Sequence, residues 1–305
     1  MAPQTILIVG ATGKQGGAVL KALLTQPESA TRFHVLALTR DAQSVRAKTL
    51  VEAYKGVVEI VQGDSSNPGP VFASQPKGSI SSLFFVTAPM GKVTEEQQGI
   101  PLIDAAVEHG VQHIVFSSVE RGGDEASWSN PTTIKHFAAK HNIEIHLRDK
   151  AAQEPGKFTW TILRPVAFLD NLQPGFFCGV FTSMWASALS PQTKLQFVAV
   201  RDIGAFGALA LSDPPAWAGR AVGLAGDQLT LGEARETFTK VTGKKLPQSW
   251  ALMGKAVLWG VKEVGDMFDF FEKVGYQVVV GDRRKEVPMR DFETWLREDS
   301  RWTKP

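Results

Sequence analysis

Residues 5–16 read Thr-Ile-Leu-Ile-Val-Gly-Ala-Thr-Gly-Lys-Gln-Gly, an apolar run followed at once by three glycines spaced three apart. A continuous apolar run of this length is typical of a strand that is buried on both faces of a parallel sheet. The segment after it, residues 18–24, has the apolar spacing of a helix. Gly10, Gly13 and Gly16 therefore stand between a predicted strand and a predicted helix, which is the context of a dinucleotide-binding turn.

The chemistry of a dinucleotide explains this glycine loop. Glycine permits a tight strand-to-helix turn and lets the backbone approach a pyrophosphate, while the helix N-terminus offers unpaired N–H groups to the anion. The predicted cofactor contacts in the loop are Gly10, Thr12, Gly13, Lys14, Gln15 and Gly16. A P-loop is excluded, because no Ser or Thr follows Lys14 and Ile8 stands where the first glycine of that motif belongs. A glycine-rich turn without a ligand is the alternative.

The end of the second predicted strand indicates which dinucleotide is bound. Folds that prefer NAD usually carry an acidic side chain there, on the ribose hydroxyls, whereas this chain has Thr39 followed by Arg40. Arg40 suits a 2′-phosphate, and Lys14 is a candidate second cation for it. We therefore expect NADP(H) rather than NAD(H), although the adjacent Asp41 would serve NAD(H) if its side chain turned inward.

Two further candidate contacts follow later strands. Gly63-Asp64 comes after the third predicted strand, and we expect Asp64 to meet the adenine. Thr87-Ala-Pro89 follows the fourth predicted strand, and we expect Thr87 to border the nicotinamide side. Each segment is equally well explained as an ordinary turn.

Outward from the glycine loop, β-branched runs alternate with segments of helical length, which is the pattern of a parallel sheet wrapped by helices. The other predicted strands of the first half are residues 34–38, 57–61, 83–86, 113–116 and 159–163. Thr94-Glu-Glu-Gln97 fits a capping box that opens a helix ending near Gly110. The sequence predicts an α/β fold, a doubly wound parallel sheet of the Rossmann type.

The second half follows a different pattern. Pro, Gly, Phe and Trp become frequent there, whereas residues 195–200 and 221–224 have the composition of strands. We predict an NAD(P)-binding Rossmann domain over residues 1–165 and a smaller C-terminal α/β lobe over residues 166–305. That lobe would bind a substrate or partner, with about 195–225 returning strands to the sheet.

Composition excludes several other classes of protein. With 43% apolar and 21% charged residues, the 305-residue chain falls in the range of globular proteins, and its net charge of +2 does not favour nucleic acid. Cys178 is the only cysteine, which excludes an intrachain disulfide and a Cys-rich zinc site. Residues 171–193 carry no charge, but Pro174 and Pro191 bracket the stretch too closely for a membrane span. Without a signal peptide, we expect a cytoplasmic protein, with nuclear access left open.

Several segments together carry a family resemblance. They are the glycine loop 10–16, Thr39-Arg40, Gly63-Asp64, residues 113–118 and 136–140, Leu163-Arg-Pro165 with Phe168 and Asn171, and the late segments 229–233 and 292–296. In these segments the chain resembles the NmrA-like family, an atypical branch of the short-chain dehydrogenase/reductase superfamily that includes fungal nitrogen-metabolite regulators and NADPH-sensing proteins. The resemblance covers nearly the whole chain and implies a Rossmann fold that binds NAD(P).

The catalytic pattern of that superfamily is incomplete here. Its complete members use a Tyr and a Lys four residues apart on one helix, but neither Tyr54 nor Tyr276 has such a lysine. At the matching helix position His136 precedes Lys140. The resemblance implies that Lys140 contacts the nicotinamide ribose, whereas its ordinary interpretation is an exposed helix lysine.

Histidine is the side chain that titrates nearest to neutral pH. His136 is therefore a candidate replacement proton donor, with Ser117 or Ser118 polarising a carbonyl. The equally good alternative is a helix histidine that packs or faces solvent.

Two functions fit these residues. The first is a sensor or regulator that binds NADP(H) and acts through a protein partner, such as a transcription regulator. The alternative is an NADPH-dependent reductase of a small apolar carbonyl or enone, because Phe168, Phe176, Phe177, Phe181 and Trp185 either line a substrate pocket or form the core of the lobe. We expect no metal site and no direct contact with nucleic acid or membrane, and the oligomeric state is left open.

Overall fold

The computed structural model describes residues 3–88 and 93–303, which divide into two compact units. The first unit comprises Met1–Ser118, Ala139–Arg164 and Ile203–Val222, and the second comprises Val119–Ala138, Pro165–Asp202 and Gly223–Pro305. The chain passes between the units several times, so neither unit is one continuous stretch of sequence.

The elements are numbered in chain order. The strands are β1 Gln4–Val9, β2 Phe33–Thr39, β3 Val58–Gln62, β4 Ile80–Val86, β5 His113–Ser117, β6 Thr159–Pro165, β7 Ala167–Phe168, β8 Leu195–Val198, β9 Arg220–Leu224 and β10 Asp227–Leu229. The α-helices are α1 Lys14–Leu24, α2 Ser29–Arg32, α3 Val45–Ala53, α4 Gly69–Ala73, α5 Glu95–His109, α6 Ala126–Ser129, α7 Lys135–Gln153, α8 Phe176–Ala188, α9 Val200–Ser212, α10 Pro214–Trp217, α11 Leu231–Thr242, α12 Ala251–Gly260, α13 Lys262–Lys273, α14 Val280–Arg283 and α15 Phe292–Glu298. A 3₁₀ turn spans Leu169–Leu172.

Seven strands form one sheet in the order β3-β2-β1-β4-β5-β6-β9. Neighbouring strands from β3 to β6 pair in parallel. Ile6, Leu7 and Ile8 of β1 are fully buried, as expected of a central strand covered on both faces. From β1 the chain proceeds outward through β2 and β3, then returns to the other side of β1 and proceeds through β4 to β6. This order confirms the predicted doubly wound α/β fold.

Helix α5 follows β4 and confirms the predicted capping box. The hydroxyl of Thr94 accepts a hydrogen bond from the Gln97 N–H, and the Gln97 side chain accepts one from the Thr94 N–H. Gly110 ends the helix in the left-handed conformation, with φ of 98°. A Cβ atom on Gly99 would lie 2.8 Å from Cδ1 of Ile143, so this glycine permits the close approach of α5 and α7.

The second unit contains a small sheet of its own. Its strand order is β10-β8-β7, with β8 antiparallel to β10 and parallel to β7. We expected strands from both 195–200 and 221–224 to return to the large sheet, but only β9 joins it. Strand β8 is buried along its whole length. Such an apolar strand has the same sequence signature in either sheet, so its composition could not indicate its partner strands.

The long uncharged stretch predicted not to span a membrane forms the 3₁₀ turn's end, helix α8 and the turn after it. Helix α8 has 13 residues. Throughout residues 3–88 and 93–303, no helix has both the length and the apolar character needed to cross a membrane.

Candidate functional site

The glycine loop joins β1 to α1 in the first unit and is closed on itself. Gly10 has a φ of 78°, in the left-handed region that favours glycine, and its carbonyl accepts a hydrogen bond from the Gly13 N–H at 2.8 Å. A Cβ atom on Gly16 would lie 2.4 Å from the Gly10 carbonyl oxygen. The first turn of α1 therefore packs directly on the backbone of the turn before it, and only glycine fits at position 16.

The N-terminus of α1 is chemically open. Gly13 is the N-cap and provides no side-chain hydrogen bond, and the first turn contains no acidic residue. The first N–H groups of a helix have no intrahelical partner, and the helix dipole favours an anion at this end. Thr12 is half-buried in the loop and Lys14 is exposed. The loop thus has the backbone geometry and the sign of potential that a pyrophosphate requires.

Thr39 and Arg40 stand at the carboxyl end of β2. Arg40 is exposed, and among the described residues it makes no hydrogen bond or salt bridge. Asp41 is occupied locally: its Oδ1 atom accepts a hydrogen bond from the Gln43 N–H at 2.8 Å, and its own N–H donates to the Thr39 hydroxyl at 3.3 Å. Of the two charged side chains in this turn, the cation is the one without a bonded partner.

Asp64 follows β3, the neighbour of β2, and lies close enough to Arg40 to interact with it electrostatically. Its carboxylate accepts hydrogen bonds from the Ser66 N–H at 2.9 Å and the Ser66 hydroxyl at 2.8 Å. These two bonds and the positive charge of Arg40 lower the pKa of Asp64 below its usual value, against an opposing effect of burial. Arg40 and Asp64 therefore lie near one another at this end of the sheet.

A buried polar cluster lies past the carboxyl end of β4. The Lys140 ammonium group on α7 lies 2.6 Å from Oε2 of Glu95 and donates a hydrogen bond to the Thr87 hydroxyl at 2.8 Å. The Thr87 hydroxyl also donates to Glu95. Lys140 is 7% exposed and Glu95 is 4% exposed. Two of the predicted contacts, Thr87 and Lys140, are thus in direct contact, and Pro89, named with Thr87, lies outside the described residues.

Glu95 was not among the candidates from sequence. It occupies the same helical face of α5 as the buried residues Gly99, Leu102, Ile103 and Ala106. A carboxylate on the apolar face of an amphipathic helix is unusual, because an unpaired buried charge is costly. That pattern would have identified Glu95 as a residue with a buried cationic partner.

Ser117 links β5 to the glycine loop. Its hydroxyl donates a hydrogen bond to Oε1 of Gln15 at 2.6 Å. Ser118, the next residue, is buried, and its N–H donates to the Leu163 carbonyl at 2.7 Å. The side chain of Ser117 therefore reaches the loop, and the backbone of Ser118 belongs to the network between β5 and β6.

His136 belongs to the second unit and has a carboxylate partner there. Oε1 of Glu263 lies 2.6 Å from Nδ1 of His136 and accepts the His136 backbone N–H at 3.0 Å. Burial would raise the pKa of Glu263, but the hydrogen bonds and the charge from His136 outweigh it and lower that pKa. Lys140 belongs to the first unit, so each of these two side chains has its own set of partners.

The aromatic residues named as pocket candidates differ in exposure within the second unit. Phe181 and Trp185 are buried and contact the Phe197 ring. Phe176 and Phe177 are exposed on α8, the first by 75%. Phe181 and Trp185 therefore contribute to the core of this unit.

The second-unit tyrosine is also part of the core. Tyr276 is buried against Phe270 and Phe271. Burial, reinforced by the negative charge of Glu120, raises the pKa of Tyr276 far above its usual value. Its phenol is therefore neutral and enclosed.

The glycine loop and the doubly wound strand order belong to a chain that matches one family of proteins along most of its length. The sequence profile of the NmrA-like family matches residues 2–295. The chain belongs to the NmrA-like family. This confirms the resemblance carried by the glycine loop and the segments that follow it.

Other NmrA-like proteins and solved structures cover almost the same length. The NmrA-like oxidoreductase FrzB of Cladobotryum sp is 27% identical over 307 residues, which span 88% of this chain and 84% of FrzB. Triphenylmethane reductase of Citrobacter sp, solved with NADP(H), has a TM-score of 0.71 at 20% identity and covers 95% of this chain and 98% of its own. NmrA, described as a negative transcriptional regulator and solved with NADP, has a TM-score of 0.70 at 19% identity over 98% of this chain and 96% of its own. NmrA has also been solved with NAD. At these identities the solved structures show a shared fold.

Proposed function

We propose that this NmrA-like protein binds NADP(H) at the carboxyl edge of the first unit's sheet and acts as a redox-cofactor sensor or regulator through a protein partner. The geometry of the glycine loop is the main support for this proposal. A Cβ atom at Gly16 would fill the space in which α1 meets the turn, and the helix N-terminus beside it has no capping side chain. An anion would supply the acceptor that these N–H groups lack.

The other proposed contacts with the dinucleotide follow the strand order outward from the glycine loop. Arg40 and Asp64, which follow β2 and β3, would hold the adenosine half, with Lys14 beside the phosphates. Thr87 and Lys140, after β4 and on α7, would meet the nicotinamide half. A dinucleotide in a doubly wound sheet lies across the point at which the strand order reverses, here between β1 and β4.

We favour NADP(H) over NAD(H) because of the contrast between Arg40 and Asp41. Arg40 is exposed and has no hydrogen-bond or salt-bridge partner among the described residues, so its guanidinium group is available to bond to a 2′-phosphate. Asp41 already accepts the Gln43 N–H. A ribose hydroxyl would have to compete with that bond to be recognised by Asp41. The NAD complex of NmrA keeps NAD(H) as the alternative.

The incomplete catalytic pattern favours a sensor. Within the described residues, Tyr276 is enclosed in an aromatic core, and Lys140 is already paired with Glu95 and Thr87. A sensor requires that one cofactor state bind one conformation better than another, because equal affinity for both shifts nothing. NmrA is described as a transcriptional regulator, so a transcription regulator is the partner we propose. We place this protein in the cytoplasm, leave access to the nucleus open, and assign it no direct contact with DNA or membrane.

The His136–Glu263 pair supports a second candidate, an NADPH-dependent reductase of a small apolar carbonyl or enone. A carboxylate hydrogen-bonded at Nδ1 fixes the orientation of a histidine ring, and a proton donor must be positioned in this way. In this function the nicotinamide supplies hydride, and His136, Ser118 or water supplies the proton. FrzB is named an oxidoreductase, and the Citrobacter protein is named a triphenylmethane reductase.

Calorimetric titration with NADPH, NADP, NADH and NAD tests the cofactor proposal. A charge-assisted bond to a phosphate is worth roughly 1.5–3 kcal/mol. Arg40→Ala should therefore lower the affinity for NADPH and NADP by about tenfold or more and leave the affinity for NADH and NAD unchanged. Lys55→Ala is the matched control, since Lys55 is an exposed cation ahead of β3, at the opposite edge of the sheet. The absence of binding by all four dinucleotides would overturn the proposal.

The choice between sensor and reductase needs two further readouts. A sensor should capture its protein partner to different extents with NADPH and with NADP, and the fluorescence of bound NADPH should be stable against a broad panel of carbonyls and enones. A reductase should show decay of that fluorescence with one of them, and His136→Ala should abolish the decay. Salt-sensitive binding to duplex DNA would contradict both.

A further inference from the structure

The cluster of Thr87, Glu95 and Lys140 combines three kinds of hydrogen-bonding group. An ionised carboxylate only accepts hydrogen bonds, an ammonium group only donates them, and a hydroxyl does both. In this cluster Oε2 of Glu95 pairs with the Lys140 ammonium group and accepts a hydrogen bond from the Thr87 hydroxyl. Oε1 of Glu95 is buried and has no hydrogen-bond partner among the described residues. The carboxylate therefore has one satisfied oxygen and one unsatisfied oxygen.

An unsatisfied buried carboxylate oxygen needs an explanation. Leaving such an acceptor without a donor costs more than a typical hydrogen bond contributes, and most buried polar atoms in proteins have partners. Among the described residues, the donors that reach this carboxylate, from Lys140 and Thr87, both bond to Oε2. A ligand hydroxyl would supply the missing donor.

Local packing holds the cluster in place. Gly99, one turn after Glu95, lets Ile143 of α7 approach α5, and this brings Lys140 of the same helix alongside Glu95. Gln98 fixes the segment after β4 by bonding to both the N–H of Ala88, at 3.1 Å, and its carbonyl, at 2.9 Å. The cluster is thus fixed from α5, α7 and the end of β4 together.

The cluster also adjoins the glycine loop through the sheet. Val86, the residue before Thr87, would contact a Cβ atom on Gly10 at 3.4 Å, and Val86 pairs in register with Ser117. Ser117 in turn bonds to Gln15 of the loop. The Lys140 ammonium lies 5.7 Å from the ring centroid of Phe116 on β5, within the range of a cation–π contact. A dinucleotide held at the loop by its pyrophosphate would therefore extend its second half over β4 toward this cluster.

We propose that Glu95 is a positioning and specificity residue for the ribose diol of the nicotinamide half. It holds the Lys140 ammonium group beside Thr87, and its free oxygen accepts one of the two ribose hydroxyls while Lys140 donates to the other. A vicinal diol is the chemical group that matches a carboxylate and an ammonium group set side by side. This inference rests on the proposed binding of NADP(H) and adds to it a requirement at the nicotinamide end.

Two ligands separate the two ends of the site. NADPH carries both ribose groups, whereas adenosine 2′,5′-bisphosphate carries the adenosine half and no nicotinamide ribose. Glu95→Gln removes the charge at nearly constant shape. We expect it to lower the affinity for NADPH by about tenfold or more and to leave the affinity for the bisphosphate unchanged. Glu96→Gln is the matched control, because Glu96 is the adjacent residue of α5 and bonds to Asn142. A second variant, Thr87→Val, removes the bridging hydroxyl and should show the same selective loss, and Glu95→Asp should restore part of the NADPH affinity.

Each outcome has a distinct meaning. Equal losses for NADPH and the bisphosphate in Glu95→Gln and Thr87→Val would mean that the cluster acts only through the fold, and would overturn the inference. Unchanged NADPH binding in both variants would overturn it as well. If the unaltered protein binds the bisphosphate as tightly as NADPH, the nicotinamide half contributes nothing and this inference fails while cofactor binding stands. If it binds neither, the proposed function itself fails.

Discussion

The charged side chains at the two ends of the carboxyl edge of the first unit's sheet differ in their exposure and in their pairing. At the β2–β3 end Arg40 and Asp64 are exposed, and Asp64 bonds only within its own turn. At the β4 end Glu95 and Lys140 are buried and pair with one another at 2.6 Å. An exposed charge is solvated by water and costs little without a partner, whereas a buried charge must be compensated in the unliganded protein. The exposed end is therefore able to gain a ligand charge as a new partner, whereas the charges at the buried end already compensate each other and leave Oε1 of Glu95 for a ligand hydroxyl.

The largest effect on stability is expected from a second buried ion pair, which lies next to the β4 end and includes a residue of α7. Glu144, one turn after Lys140, accepts a salt bridge at 2.7 Å from Arg164 of β6, and neither side chain is exposed. Glu144→Ala leaves a buried guanidinium without its carboxylate, so we expect the free energy of unfolding to fall by about 3–5 kcal/mol. Urea denaturation measures it.

A double variant provides the control for that experiment. Glu144→Leu with Arg164→Met replaces both charges by apolar groups and should recover most of the lost stability, because the desolvation cost of the pair is removed together with its attraction. A loss below about 1 kcal/mol in the single variant would contradict the assignment of a buried, mutually dependent pair.

An intermediate effect is expected from His113, a buried titratable group that has no charged partner within residues 3–88 and 93–303. Its Nδ1 and Nε2 atoms lie 2.7 Å and 3.2 Å from the hydroxyls of Thr159 and Thr161, and Thr161 itself donates to the Trp217 carbonyl. Burial lowers the pKa of His113 from 6.5 to about 4. Between these two values the unfolded chain binds more protons than the folded one. The contribution of His113 to the free energy of unfolding should therefore be fully present above pH 6.5 and should decrease as the pH drops toward 4. Below pH 4 this group should cause no further loss.

The expected loss from His113 is at most about 3–4 kcal/mol, because its pKa differs by roughly 2.5 between the unfolded and the folded chain. Denaturation at a series of pH values between 7 and 4 measures the slope. His113→Gln should flatten this slope relative to the unaltered protein, because other titrating groups are common to both. Equal slopes in the two proteins would show that His113 does not titrate with folding.

The smallest effect on stability is expected at the exposed end. Arg40→Ala removes a side chain that has no bonded partner among the described residues, so the free energy of unfolding should change by no more than about 0.5 kcal/mol. The same variant is expected to lose NADPH affinity, and thermal denaturation with and without NADPH separates the two effects. A large loss of stability without ligand would remove the contrast between the two ends.

Local sequence was sufficient for the features that depend on neighbouring residues. The spacing of Gly10, Gly13 and Gly16 predicts the turn into α1, and the Thr94–Gln97 capping box appears as expected. Alternation of buried strands with helical segments predicts the doubly wound sheet. Each of these depends on backbone geometry or periodicity over a few residues, and both are visible in a single sequence.

Features that depend on pairing over long separations required the folded chain. The helical spacing of α5 places Glu95 on the buried face, but the identity of its partner depends on the close approach at Gly99, which brings Lys140, 45 positions along the chain, beside it. Leu195–Val198 has the composition of a strand for either sheet, and only its neighbours place it in the small one. The choice of partner depends on which helices and strands come within a few ångströms of each other, and local residue preferences contain no information about that distance.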